Sequence, residues 1–237
     1  NSYTIRNNTF YKLKYAICAV GVSSSKNQDY IIESNFIGDK GAYNYIGQFA
    51  IYISQVKNCL IKKNEIFNVI NSNYYLGKLR AIFISTGSES IQIEKNKIYD
   101  VNYQHSSDKY GAGGIEINTG IAESNIKVYN NSIGRVMGTS SNIAAGENAN
   151  LGIGIINATG GVKIYNNSID LAGKNGNYGY YSIGLYIGAS VTGVELINNS
   201  IYNSTTYSIN ANAKSYAIYS AAPSTAFTNI NYNNYYA

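Results

Sequence analysis

The sequence predicts an all-β fold, a parallel β-helix of about seven coils with three short strands per coil. Three observations predict it: a composition that favours strands and turns over helices, a motif that returns eight times, and a second motif that alternates with the first.

Charged residues are 13% of the 237 residues, about half of the roughly 25% found in ordinary domains. There are 25 tyrosines, 23 glycines, one proline and no tryptophan. β-Branched and aromatic residues favour strands, while Asn and Gly favour turns. No stretch sustains the i, i+3, i+4 period of an amphipathic helix. The net charge of +5 is dispersed, the longest basic run being Lys62-Lys63. Nucleic-acid binding needs a concentrated basic patch, so no nucleic-acid partner is expected. No apolar stretch approaches the ~20 residues of a membrane span. Cys18 and Cys59 provide no disulfide framework. The chain begins at Asn1, already entering a repeat. It reads as a single β-helix domain over 1–237, an excerpt of a longer chain whose other domains would be its nearest partners.

The first motif is Φ-x-Φ-x-x-Asn-x-Φ, where Φ is apolar or aromatic. It runs from Tyr3-x-Ile5-x-x-Asn8-x-Phe10 to Thr228-x-Ile230-x-x-Asn233-x-Tyr235, and its asparagines are Asn8, Asn35, Asn64, Asn96, Asn131, Asn167, Asn199 and Asn233. Consecutive spacings are 27, 29, 32, 35, 36, 32 and 34 residues. A motif kept while its period varies implies a fixed core with variable loops. Both Φ residues of the first strand point inward, because side chains alternate with period two. The Asn sits in a tight turn, where it tolerates left-handed backbone. Its amide carries donor and acceptor, so stacked asparagines form a ladder. A short second strand carries the last Φ inward, and a long variable loop follows.

The second motif is a small residue followed by an apolar alternation, as in Ala50-Ile51-Tyr52-Ile53, Ala81-Ile82-Phe83-Ile84 and Gly184-Leu185-Tyr186-Ile187. It is the third strand. Its outward column reads Cys18, Tyr52, Phe83, Glu116, Gly154, Tyr186 and Tyr219, and beside it Ala16, Ala50, Ala81, Gly114, Gly152, Gly184 and Ala217 form a small column. On the first strand, Arg6, Glu33, Lys62 and Glu94 alternate in charge from coil to coil, which reads as adhesion between coils.

The Φ-x-Φ-x-Asn-Asn-Ser-Ile form of Val162–Ile169 and Val194–Ile201 resembles the repeat of the pectin-lyase-like superfamily, over essentially the whole chain. The resemblance implies a right-handed parallel β-helix, the hand that crossover connections also favour. The Asn-, Tyr- and Ile-rich style and the ending Asn231-Tyr232-Asn233-Asn234-Tyr235-Tyr236 are similar to secreted repeat proteins of Bacteroidota. Many of those carry a sorting domain for type IX secretion, which is not in this sequence. A secreted or cell-surface location is the expectation that follows.

In enzymes of that superfamily the substrate lies along one outer sheet bordered by the long loops. By resemblance this is the third-strand sheet. Small residues there would let a chain lie close to the backbone, and the aromatic rings of Tyr52, Phe83, Tyr186, Tyr219 and Tyr110 suit sugars, having an apolar face and, in Tyr, a polar tip. The structural reading of the same residues is that loops fold over this face and cover it. The best catalytic cluster is His105, Asp108, Glu116 and Arg80, with Arg135 and Glu147 in the next long loop. Carboxylates, an imidazole and a guanidinium are the inventory for acid–base chemistry, and the acids would suit Ca²⁺; no other cofactor and no dedicated metal ligands are expected. The polygalacturonase-like motifs are not matched. Asn118-Thr119-Gly120 lacks the acid, and the paired acids and Arg-x-Lys are missing. Sequons at Asn7, Asn130, Asn157, Asn166, Asn198 and Asn203 read as by-products of the repeat.

These features rank three functions. First is a secreted or surface module, structural, adhesive or glycan-binding. Second is a polysaccharide lyase or glycoside hydrolase. Third is a phage tail-spike-like domain.

Overall fold

The computed structural model describes residues 2–39, 45–71, 77–104, 110–138, 146, 148–175, 181–207 and 212–237. Every strand pairing along the stack is parallel, and the described residues contain no α-helix. The first strands, from Tyr3–Arg6 and Asn27–Glu33 through to Phe227–Asn231, form an eight-stranded sheet. The second and third strands make a fifteen-stranded sheet, in which a single pairing of Ile46 with Val69 joins the two kinds. The chain is thus a parallel β-solenoid of about six turns. That number fits the coils with a neighbour on both sides; the expected seven includes the first coil, which has a neighbour on one side only.

The columns read from the motif are the register of the sheets. Ile5, Ile32, Ile61, Ile93, Val128, Ile164, Leu196 and Ile230 pair in succession along the first-strand sheet. Phe10, Ile37, Ile66, Ile98, Ile133, Ile169, Ile201 and Tyr235 do so along the second strands. Between Ile32 and Leu196 the first column is at most 1% exposed, whereas Ile230 in the last coil is 52% exposed. Burial of each such side chain contributes roughly 1.5–3 kcal/mol, so a coil is stabilised only when another coil covers it.

The asparagine ladder runs the length of the molecule. Each side-chain amide donates to the carbonyl oxygen of the next asparagine, from Asn8 to Asn35 at 3.2 Å to Asn199 to Asn233 at 2.9 Å. The same oxygen accepts the backbone N–H of the preceding asparagine at 2.9–3.1 Å. From Asn35 onward, the amide's second N–H reaches a first-strand carbonyl of the preceding coil, as Asn96 reaches Ile61 at 3.0 Å. An interior rung is therefore saturated, which removes the ~1–3 kcal/mol penalty of a buried unpaired group.

The left-handed residue at this turn is the one before the ladder asparagine. Asn7, Ser34, Lys63, Lys95, Asn130, Asn166, Asn198 and Tyr232 have φ of 54–58°, and the ladder asparagines do not. The ladder position is fixed by hydrogen bonding. The preceding position carries the backbone requirement, which explains the Asn-Asn pairs at four coils.

Two further expectations are corrected. The second strand is not short in the middle coils; it spans Glu65–Asn71, Lys97–Tyr103 and Ser132–Gly138. Left-handed residues at Asn68, Asp100 and Arg135 re-aim the chain so that Val69, Val101 and Val136 enter the core. The small column of the third strand does not lie on the outer face. Ala50 and Ala81 are fully buried in the core. A Cβ on Gly114 would stand 2.8 Å from the Cγ2 of Ile133, and one on Gly184 2.4 Å from that of Ile201. The alternation breaks at the small residue, since Ala50 with Ile51 and Ala81 with Ile82 are both buried, and the second-strand isoleucines Ile133 and Ile201 fill the space beneath Gly114 and Gly184.

Candidate functional site

The outer face of the third-strand sheet carries two aromatic clusters with an ion pair between them. In the first, Phe49 stacks on Tyr52 at 5.4 Å and meets Phe83 at 5.3 Å and Tyr15 at 5.5 Å. In the second, Tyr186 stacks on Tyr219 at 6.1 Å, and both pack with Leu151, Ile183 and Tyr216 in an apolar cluster separate from the main core. Of the rings expected to meet a glycan, Tyr186 is 8% exposed, and Tyr52, Phe83, Tyr219 and Tyr110 are half-buried. The aromatic column is present, and its rings are turned largely on one another.

Arg80 and Glu116 occupy the centre of this face and are fully buried. The Arg80 Nε donates to Glu116 Oε2 at 2.5 Å, and the Lys78 ammonium meets Glu116 Oε1 at 2.8 Å. The guanidinium also donates to the carbonyls of Leu79 at 2.8 Å and Gly111 at 2.6 Å. Gly113 makes the arrangement possible, since a Cβ there would stand 2.4 Å from the Arg80 Cδ. The structure thus brings together two of the four residues named as a catalytic cluster. His105 and Asp108 lie outside the described residues, as does Glu147. Arg135 lies on a second strand and pairs with Asp100 at 2.5 Å. Among the described residues no group of three or more His, Cys, Asp or Glu side chains is placed to hold a metal ion. No described helix is long and apolar enough to cross a membrane.

The charge alternation on the first strand forms ion pairs from Arg6 to Lys62, whereas among the described residues Glu94 makes no ion pair with Lys62 and its carboxylate meets the Tyr129 hydroxyl. Glu33 lies 3.4 Å from both Arg6 and Lys62, and Lys163 lies 2.8 Å from Glu195. Two tyrosines join such rows. Tyr99 stacks on Phe67 at 5.3 Å and donates to Glu65 at 2.9 Å; burial, and then that bond, push its hydroxyl up to about 12. Tyr129 stacks on Tyr165 at 4.8 Å and is raised by burial and by Glu94. Of the sequon asparagines, Asn203 is fully buried, its amide donating to the carbonyls of Ser182 and Tyr216. Asn7, Asn130, Asn166 and Asn198 are the left-handed turn residues themselves.

Sequence reasoning missed a trough on the outer face of the first-strand sheet. It has a volume of ≈660 Å³ and is lined by residues of successive coils from Ser2 to Lys127. Its only sequence signal is the residue between the two Φ positions, which varies in type from coil to coil.

No protein-family model, curated protein or solved structure matches this chain.

Proposed function

We propose that the chain is a structural, adhesive or glycan-contacting module of a secreted or cell-surface protein, a right-handed solenoid of the pectin-lyase-like superfamily akin to the secreted repeat proteins of Bacteroidota. One observation carries this reading: the strongest candidate acid–base group is part of the packing. Glu116 is fully buried, with one carboxylate oxygen on Arg80 and the other on Lys78. A general acid or base must reach the proton that it moves, and this carboxylate is held as a strut between coils. The uninterrupted ladder supports the same reading, because it favours a stiff body that presents its faces at fixed spacing.

Reducing-end release from a polysaccharide panel, measured beside glycan-array binding, tests it. The expected result is binding without turnover, with Glu116→Gln lowering the melting temperature. Turnover by the wild type that Glu116→Gln abolishes in a folded protein would establish the lyase or hydrolase reading in its place.

A further inference from the structure

The outer face of the first-strand sheet is built differently from the third-strand face. Each first strand has one outward residue between its two inward ones, and register puts Ile31, Leu60, Gln92 and Lys127 in one row. Two positions earlier in each of these coils the backbone is left-handed: Asp29 at φ 62°, Asn58 at 56°, Ser90 at 56° and Asn125 at 49°. These polar residues make a row beside the first one, and the Asn58 amide donates to the Asp29 carboxylate at 3.2 Å. The trough lies along the two rows. A second depression of ≈400 Å³, lined by Lys127, Lys163, Tyr165 and Glu195 among others, continues it on the same face.

We infer that this trough is a binding groove for an extended, largely uncharged polysaccharide; the inference rests on the glycan-contacting reading above and moves the contact from the third-strand face to the first. Its length is the first argument. Four coil steps at about 4.8 Å each give roughly 19 Å, the reach of a chain rather than a single small molecule. The second is chemistry. Carboxylate, amide and hydroxyl side chains offer the donors and acceptors that sugar hydroxyls need, while Ile31 and Leu60, both half-buried, give an apolar floor for ring C–H groups. The third is charge. Asp29 and Lys127 offset one another, and neighbouring charges are paired, Glu33 with Arg6 and Lys62, and Glu89 with Lys26 and Lys57. Because Glu33 and Glu89 are each shared by two cations, the face keeps only a small positive excess spread over several coils, short of the concentrated positive charge on which polyanion binding depends. The fourth is the backbone. First-strand N–H and C=O groups are engaged in the parallel stack, so a peptide cannot add here as a further strand.

Native affinity electrophoresis separates the cases, with gels containing a neutral β-glucan, galactomannan or arabinoxylan set against polygalacturonate and heparin. At least one neutral gel is expected to retard the wild type. The variant Asn58→Gly/Gln92→Ala/Asn125→Gly removes three hydrogen-bonding side chains, and glycine keeps the left-handed backbone. Its affinity is expected to fall about tenfold, equivalent to ~1.4 kcal/mol. Leu60→Arg, which fills the floor at a surface position, is expected to do the same should the triple variant not fold. Undiminished binding by folded variants, or loss of binding on Tyr52→Ala alone, overturns the trough and leaves the glycan reading standing. Preference for the polyanions with steep salt dependence overturns the uncharged class. A wild type retarded by none of the gels removes the glycan reading itself, and the inference with it.

Discussion

At the scale of single residues, two adjacent turn positions answer to different physics. The ladder asparagine is chosen for its amide, and the residue before it for its backbone. Asn96→Ala would strip Asn64 of the acceptor for two N–H groups and leave the Asn131 carbonyl oxygen without its side-chain donor. At about 1–3 kcal/mol per buried unsatisfied group, the expected loss is about 2–4 kcal/mol by denaturant titration. Asn8→Ala, at an exposed end, is expected to cost less than ~1 kcal/mol. The neighbouring position gives the opposite sign. Lys63 and Lys95 are exposed and left-handed, a conformation that Asn enters at lower cost than most residues. Lys63→Asn and Lys95→Asn are each expected to stabilise by about 0.5–1 kcal/mol, read as a higher denaturant midpoint. The new side chains would extend the outer amide pairing already seen where Asn198 donates to Asn166 at 2.6 Å.

The buried thiol gives a residue-scale pH dependence. Cys59 is 2% exposed, and burial pushes its thiol from 9.0 up to about 12. A raised value of this kind favours the folded state fully below the ordinary value and loses that contribution as pH climbs to the raised one. Cys59 and Tyr99 are therefore expected to make the melting temperature fall between pH 9 and about 12, and Cys59→Val should flatten the Cys59 part of that fall. In the native protein one thiol, the exposed Cys18, is expected to react with a chromogenic disulfide reagent. Early reaction of both would contradict the placement of Cys59.

At the scale of elements, the third strands hold the least expected arrangement. Arg80 and Glu116 come from adjacent strands, Leu79–Ile84 and Ala112–Asn118, and lock them together on the outer face. Removing one partner of a buried pair strands a charge and typically costs about 3–5 kcal/mol. Arg80→Met is expected to destabilise on that scale in thermal unfolding, while Arg80→Met with Glu116→Leu should recover most of the loss, since the flexible Lys78 can turn to solvent. How much of this was legible differs by element. The inward columns were readable because period two holds in the first strand and in the Ile-x-Ile part of the third. The small column is misassigned by the sequence pattern because two consecutive residues, such as Ala50 and Ile51, are buried there, which breaks the alternation from which facing is inferred. The Arg80–Glu116 pair was legible only as two charges one coil apart, since its burial depends on the room left by Gly113. The trough was illegible because Ile31, Leu60, Gln92 and Lys127 share a row without sharing a chemistry.

At the scale of the whole molecule, stability belongs to the stack. The interior coils bury their columns completely, while Ile5, Phe10 and Ile230 at the ends are partly open. A coil contacts little beyond its neighbours, so stability should grow with the number of shared faces. A two-coil fragment such as residues 65–131 has one such face and is expected not to fold, shown by a disordered circular-dichroism spectrum without a cooperative melt. A folded two-coil piece would mean that one coil carries its own core.

The ladder has one more property, its sense of direction. Every rung gives its hydrogen to the rung that follows and takes one from the rung before. Any two rungs are therefore interchangeable as neighbours, however far apart they stand in the chain. Excising residues 132–167 would set Asn131 against Asn199, the same donor facing the same acceptor, with Val128 beneath Leu196 and Ile133 replaced by Ile169. Removing a single residue between a first strand and its asparagine would break the row and turn a strand inside out. The molecule's length is editable in whole coils and resists editing by the residue.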